Sequence, residues 1–411
     1  MVRRGRVDTV LALTAIVAAA INLRIGVTEV GPLIDRIRAD TGMSATMAGV
    51  LGSIPFVCQG VFAPLGMRLV LRVPERRLIA ACLLLVVAGT LARAAAPSAW
   101  LVIAATLPIG IGLAVAGVAL PGVIKTHFPK RTGAAMGTYV AALSIGASVT
   151  ALVMVPLTKD LGSWHDVFAL SAIPTLVCLP LWLLLPAARG RAMRAAATSE
   201  ADASAASRGG AIPRNNRTLI LLLAGVFGLQ SICFAAVTNW IASLYHHHGW
   251  SLGAAGFTTA LVSILVIPGA LVVPALSDRG DRRKWVMASA LVMATGVFGF
   301  AFAPTEAPWL WILAFAIGNG ALFPLALTLP QDLANDERTR TLLTTWMLGL
   351  GYTLSGAGPL IVGGLLDATG GFEVPMALLG VLGICSGLCA LAPALKRPAR
   401  TPPTLVPVAG S

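Results

Sequence analysis

Twelve stretches of this chain are long and apolar enough to cross a bilayer, which leaves few folds open to it. They cover residues 9–34, 44–70, 77–96, 99–124, 132–157, 165–187, 217–244, 252–276, 284–303, 308–330, 341–366 and 373–395. A helix needs roughly 20 such residues to span about 30 Å of hydrocarbon. Of the 411 residues, 57% are hydrophobic and only 11% are charged, whereas soluble domains carry about a quarter charged residues. Lipid must therefore be the solvent for most of the chain. A closed β-barrel would also satisfy its backbone in lipid, but its strands alternate apolar and polar residues, and these runs do not. Many of the 43 glycines and 26 prolines fall inside the runs, where membrane helices tolerate them. The expected fold is an all-α membrane protein of twelve transmembrane helices.

The formal charge of +13 does not point to nucleic acid, because the basic residues form short clusters between apolar runs rather than one face of a domain. Of the 30 basic residues, 25 fall in the two terminal segments and in every second connection. The other connections hold Arg36, Arg38, Arg93 and Lys159, and Arg24 stands inside a run. The positive-inside rule then puts both termini in the cytoplasm and the chain in the cytoplasmic (inner) cell membrane as a multi-pass protein. The start, MVRRGRVDTVLALTAIVAAA, has the composition of a secretory signal. The apolar run continues past it through Arg24, so it reads as an uncleaved first helix. The six cysteines lie within apolar runs and form no CxxC pair, as expected of small buried side chains.

One connection is long. Residues 188–216 are rich in Ala, Ser and Arg without apolar periodicity, and read as a flexible linker. The division is then a six-helix bundle over 1–187, a cytoplasmic linker over 188–216, a second six-helix bundle over 217–396 and a disordered tail over 397–411. The halves repeat one another. At a shift of 209 residues Arg131-Thr132 falls opposite Arg340-Thr341, Leu157 opposite Leu366 and Gly162 opposite Gly371. Two pseudo-symmetric six-helix bundles are a plan of secondary transporters, with the solute site near the midplane between the halves.

The segment LSDRGDRRKW, Leu276–Trp285, resembles the cytoplasmic signature of the major facilitator superfamily. In that family an acidic residue and a basic cluster pair across the cytoplasmic gate, roles the resemblance gives to Asp278, Arg279, Arg282 and Arg283. The first half departs, with Arg68 where an Asp is expected. NLR followed by VGPL in the first run resembles the cyanate-transporter and nitroimidazole-transporter group. So do LPGVIKTHFPKRTGAAMGTY, FGLQSICFAAVTNW, FPLALTLP and GLGYTLSGAGPLIVGGLLDATG. These motifs occur in order along nearly the whole chain. The resemblance implies the superfamily fold and transport of a small planar solute. It also marks departures: relatives carry a small polar residue at Glu29, Asn near Gly117 and Gln near Leu348.

Arg24 lies about 22 Å along its helix, past the middle of the hydrocarbon. A central arginine costs about 2.5–3.5 kcal/mol on insertion scales, which makes it a functional candidate by default. Three readings stay open: a grip on an anionic or strongly dipolar solute, a structural pair, or a coupling element that changes partner. Thr28, four residues on, shares its face. Asn22 and Glu29, seven apart, share another. Glu29 is a candidate for carrying a coupling proton, the alternative being an interfacial carboxylate. Tyr139, Gln230, Asn239, Trp240, Asn319, Trp346 and Tyr352 are further candidates, of which Tyr139, Gln230, Asn239, Trp240 and Trp346 join Arg24, Asn22 and Thr28 in the expected substrate-binding set. For each aromatic, packing or an interfacial belt is the competing role.

No catalytic constellation, cofactor or metal site is expected. GIGLAVAG lies mid-span and follows no strand, and the adjacent His246, His247 and His248 diverge by about 100° each on a helix. The expected protein is therefore not an enzyme. It is a monomeric secondary transporter that moves a small planar anion or dipolar solute by alternating access, with proton coupling as an accompanying expectation. The rival readings are a multidrug efflux antiporter and a transport-inactive membrane sensor. GAGPLIVGG resembles the Gly-Pro motif of drug/proton antiporters but stands in the eleventh run rather than the fifth.

Overall fold

The structure is a computed structural model in which residues 2–129, 131–184, 214–277, 281–334 and 336–395 are described. Among these residues every regular element is helical: α1 (Val2–Thr28), α2 (Ile34–Thr41), α3 (Ala45–Arg72), α4 (Glu75–Ala94), α5 (Ala99–His127), α6 (Thr132–Leu161), α7 (Trp164–Leu184), α8 (Arg214–His247), α9 (Leu252–Ser277), α10 (Arg282–Phe302), α11 (Pro308–Leu333), α12 (Glu337–Ser355), α13 (Ala357–Thr369) and α14 (Glu373–Leu391). Among the described residues, twelve spans have the length and apolarity to cross a membrane, so the chain is a multi-pass membrane protein.

Two spans are divided. The first run, expected as helix to residue 34, leaves α-geometry at Thr28, passes through a 3-10 turn at Gly31–Leu33 and resumes as α2. A Cβ on Gly31 would lie 2.8 Å from the Thr238 carbonyl oxygen, so glycine lets this turn press against α8. The eleventh run breaks at Gly356, three residues before Pro359, whose ring nitrogen has no hydrogen to continue the ladder. Prolines elsewhere sit inside helices, among them Pro55 and Pro64 in α3 and Pro108 and Pro121 in α5. Arg214–Asn216, expected as the end of the linker, already belong to α8. The rest of that linker and the tail over 397–411 lie outside the described residues, as do Asp278 and Arg279.

The helices sort into two bundles. In the first, α5 packs on α3 and α4, α1 on α6 and α7, and α4 on α7. In the second, α10 packs on α11 and α14, α9 on α11, and α8 on α12, α13 and α14. The bundles meet along α3 against α12 and α13, and along α6 against α9. The α3 seam is tight because it is built from small residues. A Cβ on Gly363 would collide with the Ala45 carbonyl oxygen, and one on Gly49 would lie 2.5 Å from that of Pro359. Polar links join the two bundles as well. Ser243 Oγ donates to Asp35 at 2.6 Å, Ser148 Oγ donates to the Ala260 carbonyl at 3.1 Å, and Asp367 accepts from the start of α3. Several glycines toward the opposite ends of their helices, Gly117, Gly133, Gly137 and Gly349, have open space where a Cβ would stand.

Candidate functional site

Asn22 on α1 and Glu29, in the turn just past its end at Thr28, both face α7. The Asn22 amide donates to the Ala18 carbonyl at 2.7 Å and accepts from Thr175 Oγ1 at 3.0 Å. Glu29 is met by Arg93 of α4 in a hydrogen-bonded ion pair, and its second carboxylate oxygen accepts from Ser171 Oγ at 2.7 Å. Arg93 also donates to the Gly26 carbonyl at 3.1 Å and places its guanidinium 4.7 Å from the Phe168 ring centroid. Both charged side chains are 0% exposed. The charge pattern of the sequence places Arg93 in a connection, whereas in the structure it lies inside α4 and packs into the interior of the first bundle. Its position within the run 77–96 is the one sequence signal for this.

Arg24 lies on a different face of α1 from these two. It is half-buried and makes no hydrogen bond or ion pair to any described residue. Its charge acts on the hydroxyls of two tyrosines, Tyr139 of α6 in the first bundle and Tyr352 of α12 in the second. The two phenols also act on one another, so the three groups converge from both bundles on one space. Tyr352 is held from behind by Phe227, ring against ring at 5.1 Å and 83°, and Phe227 in turn packs on Phe323 at 5.7 Å. Gly351 makes room for this stack, since a Cβ there would collide with the Phe227 ring. Thr28, at the end of α1, is half-buried.

The second-bundle candidates separate by environment. Gln230 is buried and accepts from Asn319 Nδ2 at 3.2 Å, joining α8 to α11. Trp240 is fully buried and donates through its indole to the Pro359 carbonyl at 3.0 Å, joining α8 to α13 beside the helix break. Asn239 sits in the seam, its side chain where a Cβ on Gly52 of α3 would stand, with its Nδ2 buried and without a partner. Trp346 is half-buried and its indole nitrogen also lacks a partner. Arg24, Tyr139 and Tyr352 are therefore brought together, while Asn22, Gln230 and Trp240 have their polar groups engaged by neighbouring helices.

Of the gate candidates that are described, Arg282 reaches both oxygens of Asp332 at 3.1 Å, and Arg283 forks onto Asp281 at 3.0 and 2.7 Å. Asp281 caps α10 through the Arg283 amide at 3.1 Å. The side-chain hydrogen bond from Arg283 holds the Asp281 carboxyl below its ordinary range. No cluster of three or more metal-ligating side chains occurs among the described residues. His246 and His248 each turn a ring nitrogen to a backbone carbonyl, and His247 packs edge-on against Phe372.

Comparison with known proteins identifies the family to which this fold belongs. A profile of the Major Facilitator Superfamily covers residues 12–359. The chain is 31% identical to the cyanate transport protein CynX of Escherichia coli (strain K12), over 89% of this chain and 92% of that protein. It is 30% identical to the 2-nitroimidazole transporter of Escherichia coli (strain K12), over 93% and 96% respectively. A gallate transporter of Pseudomonas putida is 25% identical over 74% of each chain. Among solved structures, a D-xylose–proton symporter superposes with a TM-score of 0.73 at 16% identity, covering 94% of this chain and 99% of its own. The nucleoside transporter NupG gives a TM-score of 0.75 at 13% identity, covering 94% and 100%. At such identities these two speak to the fold alone. The profile match over most of the chain, and relatives at 30% identity or above along nearly its whole length, establish that the chain belongs to the major facilitator superfamily of transporters.

Proposed function

We propose that this transporter moves a small planar anion, or a strongly dipolar solute of similar shape, by alternating access, with Arg24 at its binding site. The observation that carries the reading is the half-buried Arg24 guanidinium, which has no partner among the described residues and faces one phenol from each bundle. A cation at membrane depth without a protein counter-ion is costly to keep, and a ligand that supplies negative charge removes that cost. The guanidinium fork suits a planar acceptor, and the tyrosines add hydroxyls and ring faces. Thr28 and Trp346 complete the solute-facing set in this reading; Asn22, Gln230 and Trp240 hold the helices that carry it, and Asn239 packs in the seam against Gly52. The relatives named for cyanate, 2-nitroimidazole and gallate supply the panel of solutes.

The distribution of basic residues supports cytoplasmic termini. With that orientation the tight α3–α13 seam is the outer gate, and the site opens to the cytoplasm. Arg282 and Arg283, with Asp278 and Arg279, then belong to the inner gate. One chain supplies both bundles and so works as a monomer. Glu29 has a fixed counter-ion in Arg93, and the reading routes no proton through it.

The test is thermal unfolding of the purified protein with cyanate, 2-nitroimidazole, gallate and neutral bulky heteroaromatics, followed by flux of any hit into proteoliposomes. Binding to the folded state raises the melting temperature by mass action. Stabilisation by a planar anion, lost in Arg24→Gln, is expected. Stabilisation by neutral bulky compounds alone, unchanged in Arg24→Gln, would overturn the reading in favour of drug efflux.

A further inference from the structure

The start of α3 poses an accounting question. The first turn of a helix has backbone N–H groups with no acceptor inside the helix. Ser44 precedes α3 and its Oγ accepts from the Met47 amide at 3.2 Å, which satisfies the third of them. The first two, Ala45 and Thr46, are not capped locally. Both donate to one carboxylate of the opposite bundle. Ala45 N reaches Asp367 Oδ1 at 2.9 Å, and Thr46 N reaches Oδ2 at 2.7 Å, joined there by Thr46 Oγ1 at 2.6 Å. Asp367 lies near the end of α13, so its negative charge also stands against the positive end of the α3 dipole. The contact is set by the backbones around it, because Gly363, one turn earlier on α13, presses directly on Ala45.

This cap belongs to neither bundle alone. Separating the bundles at this end breaks all three hydrogen bonds together. The repeat shows that the device is one-sided. At the 209-residue shift Asp367 falls opposite Thr158, whose hydroxyl bonds its own helix at the Met154 carbonyl, 2.7 Å away. The pseudo-symmetric α6–α9 seam therefore lacks the equivalent carboxylate.

We infer that Asp367 is the latch of the sealed gate: by capping α3 across the seam it holds the transporter closed at this end, and its release is a required step in opening there. The latch acts through the conformational equilibrium and touches no solute, so its test needs none.

The experiment uses the full-length protein in lipid nanodiscs with one added cysteine, labelled by a water-soluble maleimide and read as the excess over the parent. One reporter is Ala48→Cys, on α3 and buried with the seam residues; the other is Ala116→Cys, buried within the first bundle alone. Losing the charge-assisted cap should favour the opened state about tenfold. In Asp367→Ala, labelling at position 48 is expected to rise by that factor while labelling at 116 stays at the parental rate. Asp367→Asn, which keeps one acceptor, should fall between, and it decides the matter if the alanine variant does not fold. Thr158→Val should leave both rates unchanged. An unchanged rate at position 48, or equal rises at 48 and 116, would overturn the inference, the second by showing general loosening instead of gate release. Failure of the Arg24 reading would leave these rates untouched.

Discussion

Glu29→Gln removes half of the charge pair sealed inside the first bundle. In that variant Arg93 keeps the Gly26 carbonyl at 3.1 Å and the Phe168 ring at 4.7 Å, but loses its counter-ion. The side chain is 0% exposed and cannot turn to water. Breaking a buried pair by removing one partner costs about 3–5 kcal/mol, and because the Gln amide still accepts a hydrogen bond the expected loss is about 3 kcal/mol. Arg93→Met leaves the carboxylate with the Ser171 hydroxyl at 2.7 Å and should cost about 3–5 kcal/mol. The double variant buries no charge at all and should cost only about 1–2 kcal/mol. The assay is reversible unfolding in mixed detergent micelles, followed through the fluorescence of Trp164 and Trp182, both buried in the same bundle. The singles then sum to far more than the double, with a coupling energy of at least about 3 kcal/mol. Additivity to within about 0.5 kcal/mol would refute the reasoning, since it would mean that neither charge depends on the other.

Further outcomes follow from other contacts. Trp240→Phe should cost about 1 kcal/mol through loss of the indole bond to the Pro359 carbonyl and leave solute affinity unchanged, which a melting series with and without ligand checks. Gly363→Val should destabilise by about 1–3 kcal/mol in the same unfolding assay, because its Cβ would stand on the Ala45 carbonyl. Asp281→Asn should cost about 0.5 kcal/mol at neutral pH, because Asn still caps the helix and only the solvent-screened ion pair with Arg283 is lost. The folded pKa of Asp281 lies below its ordinary 3.8, so this contribution is complete above that value and fades as pH falls below it. Melting curves of parent and variant should therefore converge toward low pH.

Arg24 shows how far residue patterns reach. Its depth in the first run, and the absence of another charge on its face within one turn, marked it as exceptional before any contact was known. The same patterns could not say that Tyr352, 328 residues later, would share its space, because helix periodicity fixes a residue's face and not which helix stands opposite. Glu29 and Arg93 make the complementary case. Each was visible alone, one as a coupling candidate and the other as a connection residue, and only the packing of α1 on α4 and α7 joined them. Asp367 carries no sequence signal because capping normally involves the residue just before a helix, and here the cap arrives from the other bundle.

What the linear chain settled by itself is its solvent and its count: twelve apolar runs, repeated as two sixes, admit only helices in lipid, because each backbone N–H and C=O must be satisfied within its own span. What tertiary structure alone decided is which polar side chains stay unspent. Asn22, Gln230 and Trp240 looked as available as Arg24 and Tyr139, yet their hydrogen bonds are taken by neighbouring helices. Hydrophobic pattern specifies that a span is buried in lipid. Whether a polar group within it meets a partner or a solute depends on the crossing of helices far apart in the chain, which no local pattern encodes.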